Sequence, residues 1–382
     1  MSDLRRLLAA ALAALLIGGC GGGDESETAP PDEPDSPSAE EQADADPEGS
    51  DSEAEKIWLT TGEQLKPVER ELEGPEVEAA AEALVDGPTD REKGGNLDAA
   101  TEIPSGVEVE DVRVDNDGTA VVEVSKNFLN GVPAKAGARS TAQDEALDAR
   151  LSQVTYTLTQ FGDIKATRVV AGGISTEPPR DRTDFAKPQG GPPPIQKPKG
   201  SYGSSTAAVQ QKLANLGYLP PGAVDGLNGY RTQQAVIAFQ SWEGLARDGI
   251  VGPQTQAALQ SANRPKPRNS GPATRIEVYR SKGVTLLVRN GKTKRAVHTS
   301  AGAPATPTPL GSYSVFRKEK NSWSVPFQQW LPFASYFNAG IAFHEYAQVP
   351  TYPASHGCGR VPSPEAKYVY RFATIGTAVI VY

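Results

Sequence analysis

Apolar positions change their period several times along the chain, and each change marks an element or a boundary. Leu7 to Ile17 is an unbroken apolar run behind Arg5 and Arg6. A bilayer-spanning helix needs about twenty residues, so this run is too short to span. A charged start, a short apolar middle and small residues after it describe an export signal. Gly21 to Glu55 then shows no period at all. Ile57-Trp58-Leu59 reads as a short strand, and Glu76 to Val85 as an alanine-rich helix stopped by Gly87-Pro88. Val107–Val114 and Ala120–Val124 form a hairpin turning at Asn116-Asp117-Gly118. Leu147, Leu151, Val154, Leu158 and Phe161 have the i, i+3, i+4, i+7 spacing of an amphipathic helix over Glu145–Phe161, and Ala166–Ala171 follows as a strand.

Residues 204–262 contain a repeat. Asp225-Gly226-Leu227-Asn228-Gly229-Tyr230-Arg231-Thr232 recurs as Asp248-Gly249-Ile250-Val251-Gly252-Pro253-Gln254-Thr255. Two glycines per copy permit the positive φ of a tight turn. Helices are predicted over Ala207–Leu216, Arg231–Trp242 and Pro253–Ala262, with Pro253 suited to a first helical position. Beyond residue 272 the pattern is mostly β. Arg275–Val288 and Lys294–Ser300 read as strands about an Asn290-Gly291 turn. Thr308-Pro309-Leu310-Gly311 turns into a strand at Ser312–Arg317, and Thr377–Tyr382 closes the chain as a strand.

Composition separates these segments into modules. At 382 residues the chain is only 38% hydrophobic, with 38 Gly and 32 Pro, which is folded domains joined by linkers and excludes a multi-span membrane protein or a coiled coil. Glu177 to Gly203, containing Pro192-Pro193-Pro194, reads as a stiff polyproline linker. Residues 21–55 carry fourteen acidic and no basic groups, a self-repelling tether that reaches roughly 120 Å when extended. Residues 56–176 sum to −10, while 272–382, with thirteen basic and four acidic groups, sum to +9 and favour an anionic partner. Two Cys and three His exclude, by counting, both a four-ligand zinc module and a disulfide framework.

Ile17-Gly18-Gly19-Cys20 resembles the lipobox of bacterial lipoproteins. The resemblance implies cleavage before Cys20, lipidation of that residue, and an extracytoplasmic protein anchored to the cell membrane and reaching into the wall. Nucleic acid falls away as a partner, and Cys358 is left as a thiol with no partner in the chain. Val85-Asp86-Gly87-Pro88 and Thr155-Tyr156-Thr157-Leu158-Thr159-Gln160 give residues 56–176 a resemblance to the GerMN domain of sporulation and germination lipoproteins, here with no His or Cys and hence a binding or scaffolding role. The repeat, with Val209-Gln210-Gln211, Leu216-Gly217-Tyr218 and Ala238-Phe239-Gln240, resembles the three-helix peptidoglycan-binding domain.

Cys358 and all three histidines lie beyond residue 297. Phe343-His344-Glu345-Tyr346, followed by Pro353-Ala354-Ser355-His356-Gly357-Cys358-Gly359-Arg360-Val361, resembles the signature of YkuD-type L,D-transpeptidases. The chemistry suits these residue types: a thiol of ordinary pKa is a few per cent thiolate at neutral pH, and a neighbouring imidazole that takes its proton makes a nucleophile. An extended segment would face His356 and Cys358 the same way, with His344 approaching from a neighbouring strand. The resemblance implies Cys358 as nucleophile and His344 as general base. It gives His356 a site-shaping role, Gly357 and Cys358 N–H groups as oxyanion donors, and Ser355 and Arg360 supporting roles, Arg360 toward a substrate carboxylate. His298 reads as structural. Glu345 and Gly359 depart from the family's usual Gly and apolar residue.

The expected fold class is multidomain. After the lipoprotein signal (1–20) and acidic tether (21–55) come an α+β GerMN-like domain (56–176), a linker (177–203), a three-helix peptidoglycan-binding domain (204–262) and a mostly-β catalytic domain (272–382). The expected function is a cofactor-free, metal-free transpeptidase that joins donor and acceptor stem peptides of peptidoglycan through a Cys358 thioester. Trimming as an L,D-carboxypeptidase, and non-catalytic wall anchoring, are the alternatives.

Overall fold

A computed structural model describes residues 54–382, except 95–96, 136, 190, 193–200, 203 and 269–270. The export signal with Cys20, nearly all of the acidic tether and most of the triple-proline stretch lie outside the described residues.

The first module opens with a hairpin, β1 (Glu55–Thr61) antiparallel to β2 (Gln64–Arg70) about Gly62-Glu63. Helices α1 (Glu76–Val85) and α2 (Asp90–Lys93) follow. A four-stranded sheet then forms from β3 (Val109–Val114), β4 (Thr119–Val124), β5 (Ala166–Ala171) and β6 (Ile174–Ser175), with β4 and β5 parallel. Gly118 at φ +84° and the Asp117 carboxylate, which accepts the Thr119 N–H at 2.9 Å, close the expected β3–β4 turn. The crossover is α3 (Thr141–Leu158), which starts earlier than its apolar stripe because Ser140 and Gln143 form a capping box. Leu147, Leu151, Val154 and Leu158 then bury against Val122, Val124 and Val169. The expected linker does not begin at Glu177: Phe185 is fully buried in this same core, and its carbonyl accepts the Trp323 indole N–H at 3.1 Å.

The helical module comprises α4 (Ser204–Leu216), α5 (Tyr230–Glu243) and α6 (Pro253–Ser261), with a two-residue pairing of β7 (Ser201–Tyr202) and β8 (Leu227–Asn228). Its repeat has a physical centre in two buried glutamines. The Gln210 amide donates to Asp225 Oδ1 (2.8 Å), the Leu227 carbonyl (3.0 Å) and Thr232 Oγ1 (2.9 Å), while its oxygen accepts from the Asp225 and Gly226 backbones. Gln240 repeats this with Asp248, Ile250 and Thr255. Each Asp-Gly…Thr turn is therefore tied to the preceding helix.

The C-terminal module stacks two sheets. One has the order β11 (Lys292–His298), β10 (Val284–Arg289), β9 (Arg275–Tyr279), β17 (Ala378–Val381), β12 (Gly311–Ser314). The other runs β13 (Arg317–Ser324), β14 (Gln329–Asn338), β15 (Ile341–Tyr346), β16 (Gly359–Pro362), and α7 (Ser363–Phe372) packs beside it. The single strand expected over Arg275–Val288 is two, folded back at Gly283 with φ +60°. Ile276, Val278, Leu287 and Val297 of the first sheet meet Phe337, Ile341, Phe343 and Val361 of the second. The outer face of the first sheet, at Tyr279, Val284, Leu286, Val288 and Ala296, shares a core with Tyr218 and Phe239 of the helical module.

Candidate active site

Strands β15 and β16 pair in parallel, with Phe343 opposite Gly359 and His344 opposite Arg360. That register brings Cys358, just ahead of β16, beside His344. Gly359, which departs from the family pattern, has a packing cause: a Cβ there would meet the Phe343 ring at 2.7 Å. Thr308 ties the nucleophile loop to the turn before β12, its hydroxyl donating to the Gly357 carbonyl at 2.6 Å and accepting the Gly302 N–H at 3.0 Å.

His344 is buried, and its Nδ1 lies 2.9 Å from the Glu345 carbonyl. A carbonyl only accepts, so Nδ1 carries the proton and Nε2 is left basic. Glu345 thus orients the imidazole through its backbone. Burial lowers the His344 pKa below the ordinary value; the neighbouring Glu63 charge opposes this, and Arg360 adds to it. Cys358 is fully buried. Its Sγ accepts the Ala342 N–H at 3.3 Å, and its thiol points to the Gly340 carbonyl at 3.7 Å. Burial, first of all, and the Glu63 charge push this thiol well above its usual pKa, and the Ala342 N–H and Arg360 draw it back only in part. In this arrangement Cys358 is a protonated thiol.

The remaining expected residues divide. Gly357 has φ +111°, so residues 356–358 are not an extended segment and His356 does not face the same way as Cys358 along a strand. The His356 ring instead stacks on Phe327, with centroids 3.9 Å apart and planes at 14°. Ser355 Oγ donates to the Cys358 carbonyl at 2.6 Å and accepts the Gly357 N–H at 3.2 Å. Ser355 therefore braces the turn, and the Gly357 N–H expected at an oxyanion hole is engaged. Arg360 donates to the Ala354 carbonyl at 3.1 Å, and its guanidinium lies 4.2 Å from the Tyr346 ring centroid. His298 sits apart, its Nδ1–H donating to Gln234 Oε1 of α5 at 2.6 Å.

One residue at the centre was invisible in the sequence. Glu63, at the β1–β2 tip, is fully buried, with Oε1 3.2 Å from Arg360 Nη2, and Oε2 3.4 Å from His344 Nε2 and 3.2 Å from Gln329 Nε2. Burial alone would raise this carboxyl, but His344, Arg360 and His356 outweigh it and hold it below the usual range. A Thr-Gly-Glu-Gln hairpin tip reads as solvated turn, and no local signal marks it as anything else. Donor atoms of Glu63, His344 and Cys358 all lie within 4.8 Å of one another. Such a set resembles zinc ligands, but Arg360 already neutralises the carboxylate and opposes a dication there.

Residues 47–177 match the Germane family of sporulation and spore germination, 202–259 a peptidoglycan binding domain, and 273–381 the YkuD L,D-transpeptidase catalytic domain. An L,D-transpeptidase of Xylanimonas cellulosilytica is 38% identical, covering 50% of this chain and 100% of that one, at a TM-score of 0.45. One from Stackebrandtia nassauensis is 23% identical over 50% of this chain and 97% of its own, at a TM-score of 0.33. Among curated proteins, the N-acetylmuramoyl-L-alanine amidase CwlL of Bacillus licheniformis is 42% identical over 79 residues, which is 20% of this chain and 22% of the amidase. The chain thus spans about a fifth of the length of that curated relative. Residues 273–381 thus carry the YkuD L,D-transpeptidase catalytic domain, preceded along the chain by a Germane and a peptidoglycan-binding domain.

Proposed function

We propose that the protein is a cell-wall L,D-transpeptidase working through a Cys358 thioester. The observation that carries this reading is the His344 imidazole, its Nδ1 proton fixed by the Glu345 carbonyl and its Nε2 left basic, with a ring nitrogen within 4.8 Å of Cys358 Sγ. Nε2 takes the thiol proton, and the thiolate attacks the carbonyl that follows the L-centre of a tetrapeptide stem. The tetrahedral intermediate collapses by breaking the bond to terminal D-Ala, whose amine leaves with the proton from His344. A side-chain amine of a second stem then attacks the thioester, His344 takes its proton, and Cys358 leaves as the thiol, giving a 3→3 cross-link. The Cys358 N–H, rather than that of Gly357, is the backbone donor left for the oxyanion.

The helical module supplies wall binding, and the lipobox-like Cys20 a membrane anchor at the far end of the acidic tether, with the domain boundaries as read from the sequence except that the first folded module runs on through Phe185. Incubating the protein with a disaccharide-tetrapeptide and weighing the products tests the reaction. A cross-linked dimer is expected. Loss of D-Ala alone makes water the acceptor and the enzyme a carboxypeptidase. No change in the substrate, with the protein folded, refutes catalysis.

A further inference from the structure

The β1–β2 tip brings to the catalytic centre a carboxylate that thioester chemistry does not require. Hairpin tips are ordinarily solvated, and a glutamate is almost never fully buried unless paired. Here Thr60, Thr61 and Glu63 are all 0–1% exposed. Glu63 and Gln64 are bonded in place, while the buried Thr60 and Thr61 hydroxyls have no hydrogen-bond partner: the Glu63 carbonyl accepts Ser324 Oγ at 2.5 Å, Gln64 Nε2 donates to the Trp323 carbonyl at 3.3 Å, and the Glu63 carboxylate holds Arg360 and Gln329 with His344 Nε2 3.4 Å away. The backbones meet glycine to glycine. A Cβ on Gly62 (φ +60°) would lie 2.8 Å from the Gly340 carbonyl carbon, and one on Gly340 would lie 1.5 Å from the Thr61 oxygen.

Two features decide what this contact does. A carboxylate that orients a catalytic imidazole binds the nitrogen that keeps its proton, but that nitrogen, Nδ1, already has the Glu345 carbonyl. Glu63 stands at Nε2, the nitrogen that must receive the thiol proton. The tip is also a peptide whose carboxylate reaches within 4.8 Å of Cys358 Sγ and rests on a guanidinium. A donor stem, a peptide with free carboxylates, must lie across the same sulfur.

We propose that the β1–β2 tip is an internal pseudosubstrate closing the donor channel, and that the Arg360–Gln329 pair holding Glu63 is the subsite for a free carboxylate of the donor peptide once the tip withdraws. The proposal rests on the transpeptidase reading for the identity of that peptide. Beside the tip a cavity of about 340 Å³, lined by Gly62, Asp98, Thr306, Pro307, Ile341 and His356, marks where the cleft continues toward solvent. A closed tip lowers apparent substrate affinity by the fraction of molecules that are open.

The test reads Cys358 alkylation by iodoacetamide in the full chain, located by peptide mass analysis, so it needs no turnover. Glu63→Ala removes the carboxylate; Gly62→Ala expels the tip by size and leaves the charge, which covers the case where the first variant fails to fold. Alkylation is expected to rise at least tenfold in each folded variant. A disaccharide-tetrapeptide should then protect Cys358 at least tenfold better than its fully amidated form. Wild-type alkylation as fast as in both variants overturns the closure, and so does unchanged alkylation with slower cross-linking in Glu63→Ala, which would make Glu63 a positioning residue for His344. Equal protection by acid and amide overturns the carboxylate subsite. Faster alkylation without any cross-linked product leaves the closure standing and refutes the reaction instead.

Discussion

Replacing Gly359 with Ala probes the strand pairing on which the site depends. The new Cβ would lie 2.7 Å from Phe343 Cδ1 and 3.0 Å from Cε1, with Thr299 Cγ2 at 3.5 Å on its other side. Phe343 has nowhere to retreat, being 1% exposed and stacked on Phe337 with ring centroids 4.8 Å apart. Overpacking of this kind costs about 1–3 kcal/mol, and a domain of this size loses ~2–4 °C in melting temperature per kcal/mol. Because β15 and β16 pair through Phe343 and Gly359, the strain separates Cys358 from His344 as well. A displacement of ~1 Å at reacting atoms costs on the order of 10²-fold in rate. Thermal melting and the rate of Cys358 thioester formation, both followed in Gly359→Ala, Phe343→Leu and the double variant, close a thermodynamic cycle. A smaller residue at 343 should recover at least ~1 kcal/mol of the Gly359→Ala loss. Wild-type melting and wild-type acylation in Gly359→Ala would refute the argument that this glycine is set by the Phe343 ring.

His344→Ala should slow thioester formation by roughly 10²–10⁴-fold, the usual cost of losing a general base, while Cys358→Ala abolishes it; mass analysis of the trapped acyl-enzyme reads both. His298 is held neutral by burial, first of all, and by Arg247, with its pKa lowered to about 4. The unfolded chain therefore binds more protons than the folded one below pH 6.5, so the stability this residue contributes is complete above 6.5 and drains as pH falls toward 4. Unfolding free energies from denaturant titrations at pH 7 and 4.5 should differ by ~2–3 kcal/mol more in the wild type than in His298→Gln. Gln210→Ala leaves two part-buried backbone N–H groups without their acceptor and should destabilise the helical module by ~1–3 kcal/mol, read by hydrogen exchange of α4 and α5.

Local chemistry was legible wherever one segment sufficed to make it. The β3–β4 hairpin follows from Asn-Asp-Gly, and the end of α1 from Gly87-Pro88. The proximity of His344 and Cys358 follows from their motif. Strand β2 was not read, since Lys66, Pro67, Glu69 and Arg70 leave only Leu65 and Val68 to bury. Strands β9 and β10 ran together because apolar residues continue on both sides of Ser281-Lys282-Gly283. The Gly357 φ could not be foreseen from an apparently extended Ser-His-Gly-Cys. Glu63 was hardest of all: its partner Arg360 lies 297 positions away, and nothing in a hairpin tip announces which surface it enters.

The shared core between the helical module and the catalytic sheet changes how wall binding reaches the chemistry. Tyr279 packs on Trp242 with ring centroids 5.0 Å apart, and Gly217 accepts the Ala296 N–H at 2.9 Å. A module on a flexible string would merely raise the local concentration of glycan around a wandering nucleophile. A module fused through buried apolar side chains holds Cys358 at one fixed offset from the strand it grips, as a caliper holds its jaws. On the proposed function, stem peptides at that offset would be in reach and their neighbours would not, so the spacing of cross-links along a glycan strand would be a property written into the Trp242–Tyr279 contact.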